Sequence, residues 1–258
     1  MQNTIVVDVG NLRTKIARVK HCSPSPARCV ELSEPKAFQD VDDLNDSTRH
    51  WTRNCEWIVG SVNPDRFQQL NSWVRDKRPG DVLRVITSTM VPLKTDVENP
   101  ERTGVDRLLA AFAATKRFTD VKPIIVIDAG TAVTVDLIDA QLVFCGGNIF
   151  PGMDADFRQL NSSTALLPLA HRPESVPDYF VGRNTHEAIF SGVIHSQIGG
   201  IRYLVDKIEN QTGPCNVVAT GGFFNLWTST VPDHWHLAPN LVLEGIAYCA
   251  QSQVASSE

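Results

Sequence analysis

The chain has 258 residues, 42% of them hydrophobic and 21% charged, with a formal net charge of -5. That length supports a sizeable core divided over two domains of ordinary size. The acidic balance and the absence of any Lys/Arg block argue against a nucleic-acid binder, and neither a signal-peptide pattern nor an apolar run of membrane length is present.

In chain order, residues 4–9 and 14–20 read as a strand hairpin, with His21 to Ala27 a Ser/Pro-rich turn and Cys29 to Leu32 a third strand. Gln39 to His50 is polar, with few core residues, and reads as a short surface helix. Trp57 to Val62 is a strand, and Asn63-Pro64 is a helix-start pair followed by Phe67, Leu70, Trp73 and Val74 at helical spacing. Leu83 to Ile86 is the next buried strand, and Thr87 to Arg102 is an irregular connection with two prolines. Val105, Leu108, Leu109 and Phe112 then share one helical face. Lys116 to Lys122 lacks this period and marks the boundary, giving domains at 1–118 and 119–258.

The second half opens on Ile124 to Ile127, an apolar strand running into Asp128-Ala-Gly130-Thr131, with a return strand alternating through Val133, Val135 and Leu137. Gln141 to Cys145 reads as a strand, Gly146-Gly147 as a turn, and Ile149-Phe-Pro-Gly152 as the lead into a short helix. Asn161 to Tyr179 is a long loop, a kind of segment that is often functional. A helical pattern runs from Thr185 through Ile189, Val193, Ile201, Leu204 and Ile208, with a break expected at Gly199-Gly200. Asn216 to Ala219 is a buried strand, Thr220-Gly221-Gly222 a turn into helix, and Leu241 to Ala250 a final helix. The six cysteines are scattered without a C-x-x-C pair and read as reduced thiols of a cytosolic protein.

The design around Asp128 has a counterpart at the N-terminus, where Ile5-Val-Val-Asp8-Val-Gly10-Asn11 is again an apolar strand ending in Asp-x-Gly. One copy is an ordinary turn signal. Two copies half a chain apart point to two related halves facing one nucleotide, with a carboxylate, a glycine and free backbone N–H groups at each tip to hold a phosphate and a cation. Gly104-Val105-Asp106-Arg107 opens a helix and has two readings. In one, Thr103 is the N-cap and Asp106 sits in the first turn, favoured by the helix dipole. In the other, Gly104 admits a ligand to the backbone, Asp106 accepts a proton from a hydroxyl, and Arg107 holds a carboxylate or a phosphoryl group.

Taken in order, Asp8-Val-Gly-Asn11, Gly60-Ser-Val62, Asn99-Pro100, Gly104-Val-Asp-Arg107, Asp128-Ala-Gly-Thr131 with Thr134, Gly146-Gly147 with Pro151-Gly152, Gly182-Arg-Asn-Thr185 and Ala219-Thr-Gly-Gly222 resemble the type III pantothenate kinases over nearly the whole chain. The resemblance implies an α/β protein of the two-domain actin-like ATPase superfamily fold, with duplicated RNase H-like cores and ATP between them. It implies a cytoplasmic homodimer that phosphorylates pantothenate, the first step of coenzyme A biosynthesis, with Mg²⁺ and a monovalent cation, K⁺ or NH₄⁺. It carries no nucleic-acid or membrane partner. By position it makes Asp106 the general base and lines the ATP phosphates with Asp8, Val9, Gly10, Asn11, Leu12, Arg13, Thr14 and Lys15. Asp8 is also a candidate for the nucleotide Mg²⁺, Thr131 contacts ATP, and Asp128 holds the monovalent cation. Val97, Gly104, Val105, Asp106, Arg107 and Thr185 meet pantothenate. Two positions depart from the family: Leu12 stands where Thr or Ser is usual, losing a phosphate-binding hydroxyl unless Thr14 replaces it, and Val97 stands where a tyrosine is usual. Two rival readings are a nucleotide-binding regulator without turnover and a kinase for another small hydroxyl substrate.

Overall fold

The computed structural model describes residues 3–22, 30–118, 120–223, 226 and 230–254. The chain divides into two compact units, Met1–Thr119 with Asn240–Glu258, and Asp120–Pro239.

The first unit contains β1 (Thr4–Val9), β2 (Thr14–Cys22), β3 (Val30–Leu32), β4 (Lys36–Phe38), α1 (Leu44–Thr48), β5 (Glu56–Ser61), α2 (Pro64–Lys77), β6 (Val82–Ile86), the short β7 (Lys94–Thr95) and α3 (Val105–Thr115). Its sheet runs in the order β3-β2-β1-β5-β6, with β4 also on β2. β1 pairs antiparallel with β2 and parallel with β5, and β5 pairs parallel with β6. The apolar run of β1 makes it a central strand: Thr4 to Val7 and Val9 are buried, and only Asp8 is half-buried. α2 starts where Asn63-Pro64 predicts, the Asn63 side chain accepting from the Arg66 N–H at 3.0 Å and Pro64 at the first helical position. Its buried face is Leu70, Trp73 and Val74.

The second unit contains β8 (Ile124–Ala129), β9 (Ala132–Ile138), β10 (Val143–Pro151), α4 (Met153–Ser162), α5 (Thr185–Thr212), β11 (Asn216–Thr220) and β12 (His236–Leu237). Its strands lie in the order β12-β11-β8-β9-β10. β8, β9 and β10 form an antiparallel meander, while β8–β11 and β11–β12 are parallel. The first unit has the same plan: three antiparallel strands, then two added parallel to the first. β8 also repeats the burial of β1, four buried residues, a half-buried aspartate and a buried end.

α6 (Leu241–Val254) belongs to the first unit, whereas the sequence reading ran the second domain to residue 258. α6 lies against α3 because both helices present small residues. A Cβ on Gly245 would lie 2.1 Å from the Leu109 carbonyl oxygen, so only glycine permits this approach. Three local expectations also change. Gly146-Gly147 is no turn but part of β10, at a bulge where Gly146 takes φ +88°. α5 runs unbroken through Gly199-Gly200 for 28 residues, its buried stripe continuing on both sides. The polar stretch from Gln39 is a 3-10 turn and α1, which bury Leu44 and Thr48. The expected turn at His21 to Ala27 lies mostly outside the described residues, as does most of the helix expected after Gly222. Cys55, Cys145, Cys215 and Cys249 are not joined in disulfides. Among the described residues, no helix is long and apolar enough to cross a membrane.

The first unit also holds a buried charge pair. Asp81 accepts from the Arg78 Nε at 2.7 Å, the Trp57 indole N–H at 2.8 Å and the Cys55 N–H at 3.0 Å. Both charged side chains are almost fully buried. Burial pushes the Asp81 carboxyl up, but the bonds from Trp57, Cys55 and Arg78 and the Arg78 charge outweigh it and hold it below its ordinary value. Its stabilising effect is therefore present above the ordinary carboxylate range and is lost as pH falls through the lowered value. Arg78→Ala, which strands a buried carboxylate, is expected to cost about 3–5 kcal/mol in urea unfolding near neutral pH. A loss below about 1 kcal/mol, the worth of an exposed pair, would contradict this account.

Candidate active site

Each candidate tip follows the buried last residue of a central strand, Val9 or Ala129. In the first unit Asp8 pairs with Lys15 on β2 and with Gly60 on β5. The chain turns through Gly10 to Arg13, closed by the Gly10 N–H to the Arg13 carbonyl at 3.0 Å, and β5 joins it through the Val62 N–H to the Val9 carbonyl at 3.1 Å. Val9 is buried; Asn11, Leu12 and Arg13 are exposed, and Lys15 is half-buried. Thr14 is buried, and the Arg66 Nη2 reaches its hydroxyl at 3.4 Å. The hydroxyl that could stand in for the one lost at Leu12 is thus turned to Arg66 on α2.

α3 places the second element of this unit. Its N-cap is Gly104 and not Thr103: the Gly104 carbonyl accepts from the N–H groups of Arg107 and Leu108, while the Thr103 hydroxyl donates to the Asn99 carbonyl at 3.4 Å. Val105 is buried, and Val97 lies half-buried in the connection before α3. Asp106 accepts from the Arg107 N–H at 2.8 Å. Burial raises the Asp106 carboxyl above its ordinary value, only partly opposed by the Arg107 N–H and charge. A raised pKa gives the ionised group more basicity, the direction that general-base chemistry uses.

In the second unit Asp128 pairs with Thr134 on β9 and Thr220 on β11. Gly130 and Thr131 make the tip, the Gly130 N–H donating to the Ala132 carbonyl at 3.0 Å. Two glycine-bearing segments press on it. The Gly152 N–H donates to the Thr131 carbonyl at 3.0 Å, and a Cβ on Gly152 would lie 2.2 Å from the Gly130 oxygen. Gly221, at φ +102°, crosses the Ala129 backbone just as closely, and the next turn is tied by the Phe223 N–H to the Ala129 carbonyl at 3.0 Å. Asp128-Ala-Gly-Thr131, Pro151-Gly152 and Thr220-Gly221-Gly222, far apart in sequence, are therefore one cluster. Among the described residues no group of three or more His, Cys, Asp or Glu forms a metal cluster.

Gly182-Arg-Asn-Thr185 caps α5: Asn184 accepts from the Glu187 N–H at 2.9 Å, and Glu187 returns to the Arg183 N–H at 2.7 Å. Thr185, the first helical residue, is exposed and opens on a cavity of about 570 Å³ between α4 and α5, walled by Leu160, Leu167, Ile189 and Val193. The capping is done by Asn184 and Glu187, and Thr185 lines the cavity.

A sequence profile of the family described as type III pantothenate kinase matches residues 4–207. The chain belongs to the type III pantothenate kinase family. Among its relatives, the type III pantothenate kinase of Persephonella marina is 35% identical over 251 residues, covering 93% of this chain and 95% of its own. That of Chlorobaculum parvum is 31% identical over 253 residues, covering 94% and 92%. Solved structures agree on the fold alone. A putative 2-dehydro-3-deoxygalactonokinase from Sinorhizobium meliloti superposes with a TM-score of 0.54 at 12% identity, covering 97% of this chain and 99% of its own. A chain of the PilM–PilN type IV pilus biogenesis complex superposes at 0.51 and 9% identity, covering 95% and 98%. The α/β architecture is that of the actin-like ATPase superfamily, as the sequence resemblance implies.

The raised Asp106 pKa has a signed consequence. The protonated acid suits the folded state better, so stability from this group is full below the ordinary carboxylate range and is lost as pH rises through the raised folded value. Asp106→Asn removes that loss. The variant is expected to unfold at the same or higher urea concentration than the parent near neutral pH, with the difference closing in acid. A variant less stable at neutral pH would show that the carboxylate mainly supports the helix.

Proposed function

We infer that this protein is a pantothenate kinase, transferring the terminal phosphoryl group of ATP to the primary hydroxyl of pantothenate to give 4'-phosphopantothenate and ADP. The observation that carries the reading is the intact Gly104-Val-Asp-Arg107 motif at the start of α3, with a half-buried Asp106 carboxyl, in a chain of this family. Phosphoryl transfer asks little covalent chemistry of a protein; it asks for positioning and charge neutralisation. The pantothenate oxygen bonds to the γ-phosphorus, the bond to ADP breaks, and Asp106 takes the hydroxyl proton. Arg107 offers a guanidinium to an anionic substrate group, Gly104 lets the substrate approach the backbone, and Val105 is a further contact in this reading. Val97 and Thr185 complete the acceptor contacts in this reading.

For the nucleotide, the turn from Asp8 to Lys15 supplies backbone N–H groups and cationic side chains, and Thr131 supplies a second contact. Mg²⁺ travels with ATP, with Asp8 its protein-side candidate, and neutralises phosphate charge when bound. Asp128, with the carbonyls of its tip, would hold a monovalent cation, K⁺ or NH₄⁺. We place the protein in the cytoplasm as a homodimer.

ADP release coupled to pantothenate addition, with Mg²⁺ and with K⁺ exchanged for Na⁺, tests the whole assignment. Turnover requiring both pantothenate and K⁺ is expected; ATP binding without turnover would sink it. Asp106→Asn is expected to lower kcat by roughly 10²–10⁴. Asp128→Ala is expected to abolish or shift the K⁺ activation, and an unchanged K⁺ response would remove Asp128 from the cation site.

A further inference from the structure

α5 carries one residue that its own periodicity does not explain. Ile189, Val193, Ile201 and Val205 fall every fourth position and are buried against the second unit's core. Gln197 occupies the middle of this stripe and is as buried as they are, at 3% exposure. A polar amide in an apolar stripe costs desolvation, which its hydrogen bonds must offset. Its Nε2 donates to the Pro151 carbonyl at 2.9 Å and to the Asp156 Oδ2 at 2.5 Å. Both partners are oxygens, so the amide must present its NH₂ to them.

Those two bonds seize the corner between β10 and α4. Pro151 is the last residue of β10 and pairs with Ala132; Asp156 is in the first turn of α4. Between them lies Gly152, whose N–H holds the Thr131 carbonyl and whose Cα face abuts the Gly130 carbonyl. The path from Gln197 to the Gly130-Thr131 tip is therefore one side-chain amide, one peptide corner and one backbone hydrogen bond. The same α5 begins at Thr185, on the cavity that Asp156 also lines.

We propose that Gln197 is a positioning residue for nucleotide binding: by clamping Pro151 and Asp156 it fixes Gly152 against the Gly130-Thr131 tip and so sets the tip's geometry for the phosphates of ATP. This rests on the reading that Thr131 meets ATP. A valine or isoleucine at this position would suit the stripe and leave the corner free to shift. Loss of the clamp costs nucleotide affinity more than acceptor affinity, because the corner bonds directly to the tip.

The test is Gln197→Met, which keeps length and burial but removes both donors, in the full chain with Mg²⁺ and K⁺. ATP affinity by calorimetry is expected to fall about tenfold, the scale of lost bonds to a carbonyl and a carboxylate. KM for pantothenate stays within about twofold, a split that general loosening would not give. Amide exchange at Gly152 speeds up while exchange along α6 is unchanged. Asp156→Ala, at a half-buried position, is expected to weaken ATP in the same direction and by less. Unchanged ATP affinity in both variants overturns the proposal. So does an equal loss of ATP and pantothenate affinity, or a rise in pantothenate KM alone. Should Gln197→Met not fold, Asp156→Ala decides by the same criterion. The parent protein separates the two ideas: if ATP leaves amide exchange across 128–131 untouched, the nucleotide reading of the tip fails and the proposal with it. If ATP protects the tip and the variants bind ATP normally, only the proposal fails.

Discussion

A carboxylate at the end of a strand buried on both faces is the constraint on which this structure depends. Four successive buried residues lock β1 and β8 into the middle of their sheets, where a one-residue slip would carry an aspartate into the core. Asp8 and Asp128 are therefore held at the next-to-last position of each strand, and the ladder fixes their neighbours: Lys15 and Gly60 for one, Thr134 and Thr220 for the other. Rigidity of the sheets becomes accuracy of position at the two tips.

The two copies have diverged in how their tips are finished. The first turns over four residues, closed at Gly10 and Arg13, and its one buried hydroxyl is engaged by Arg66. Leu12, at 44% exposure, offers that turn no polar group. What remains there is backbone N–H, Asn11 and two cationic side chains. The second tip is tighter and is shaped from outside, by Gly152 and Gly221 pressing on its backbone. One copy leans on side chains and charge, the other on steric fit. Each route is suited to an anionic ligand.

Asp106 shows why burial and chemistry belong together. At a helix start a carboxylate is ordinarily favoured by the dipole. Here loss of solvent outweighs the Arg107 N–H and charge, so the carboxyl is raised and its ionised form costs the fold some stability. A residue serving only as a cap would not carry that cost, and the capping is done by the Gly104 backbone. The Arg78–Asp81 pair is the opposite case. There three donors, the Arg78 cation among them, overcome burial, and the group stabilises the first unit.

Local chemistry was enough to locate most strands and helices, both Asp-x-Gly tips, the Asn63-Pro64 start and the Gly104–Arg107 helix start. Each depends on residues close together in the chain, on alternation, on helical spacing or on the turn preferences of glycine, asparagine and aspartate. What lay beyond the sequence was decided by residues far apart. Gly146-Gly147 looks like a turn until β9 offers it a partner, and Gly199-Gly200 looks like a break until the core supports the helix on both sides. Leu241–Val254 joined the first unit because Gly245 lets it reach the Leu109 backbone, a contact with no local signature. Gln197 left a trace, as the polar interruption of an apolar stripe, but its partners Pro151 and Asp156 could not be known before folding. Short-range patterns are written in the sequence because the backbone must satisfy them residue by residue. The meeting of Gly130, Gly152 and Gly221 was decided only in three dimensions, by which backbones can approach without a side chain between them.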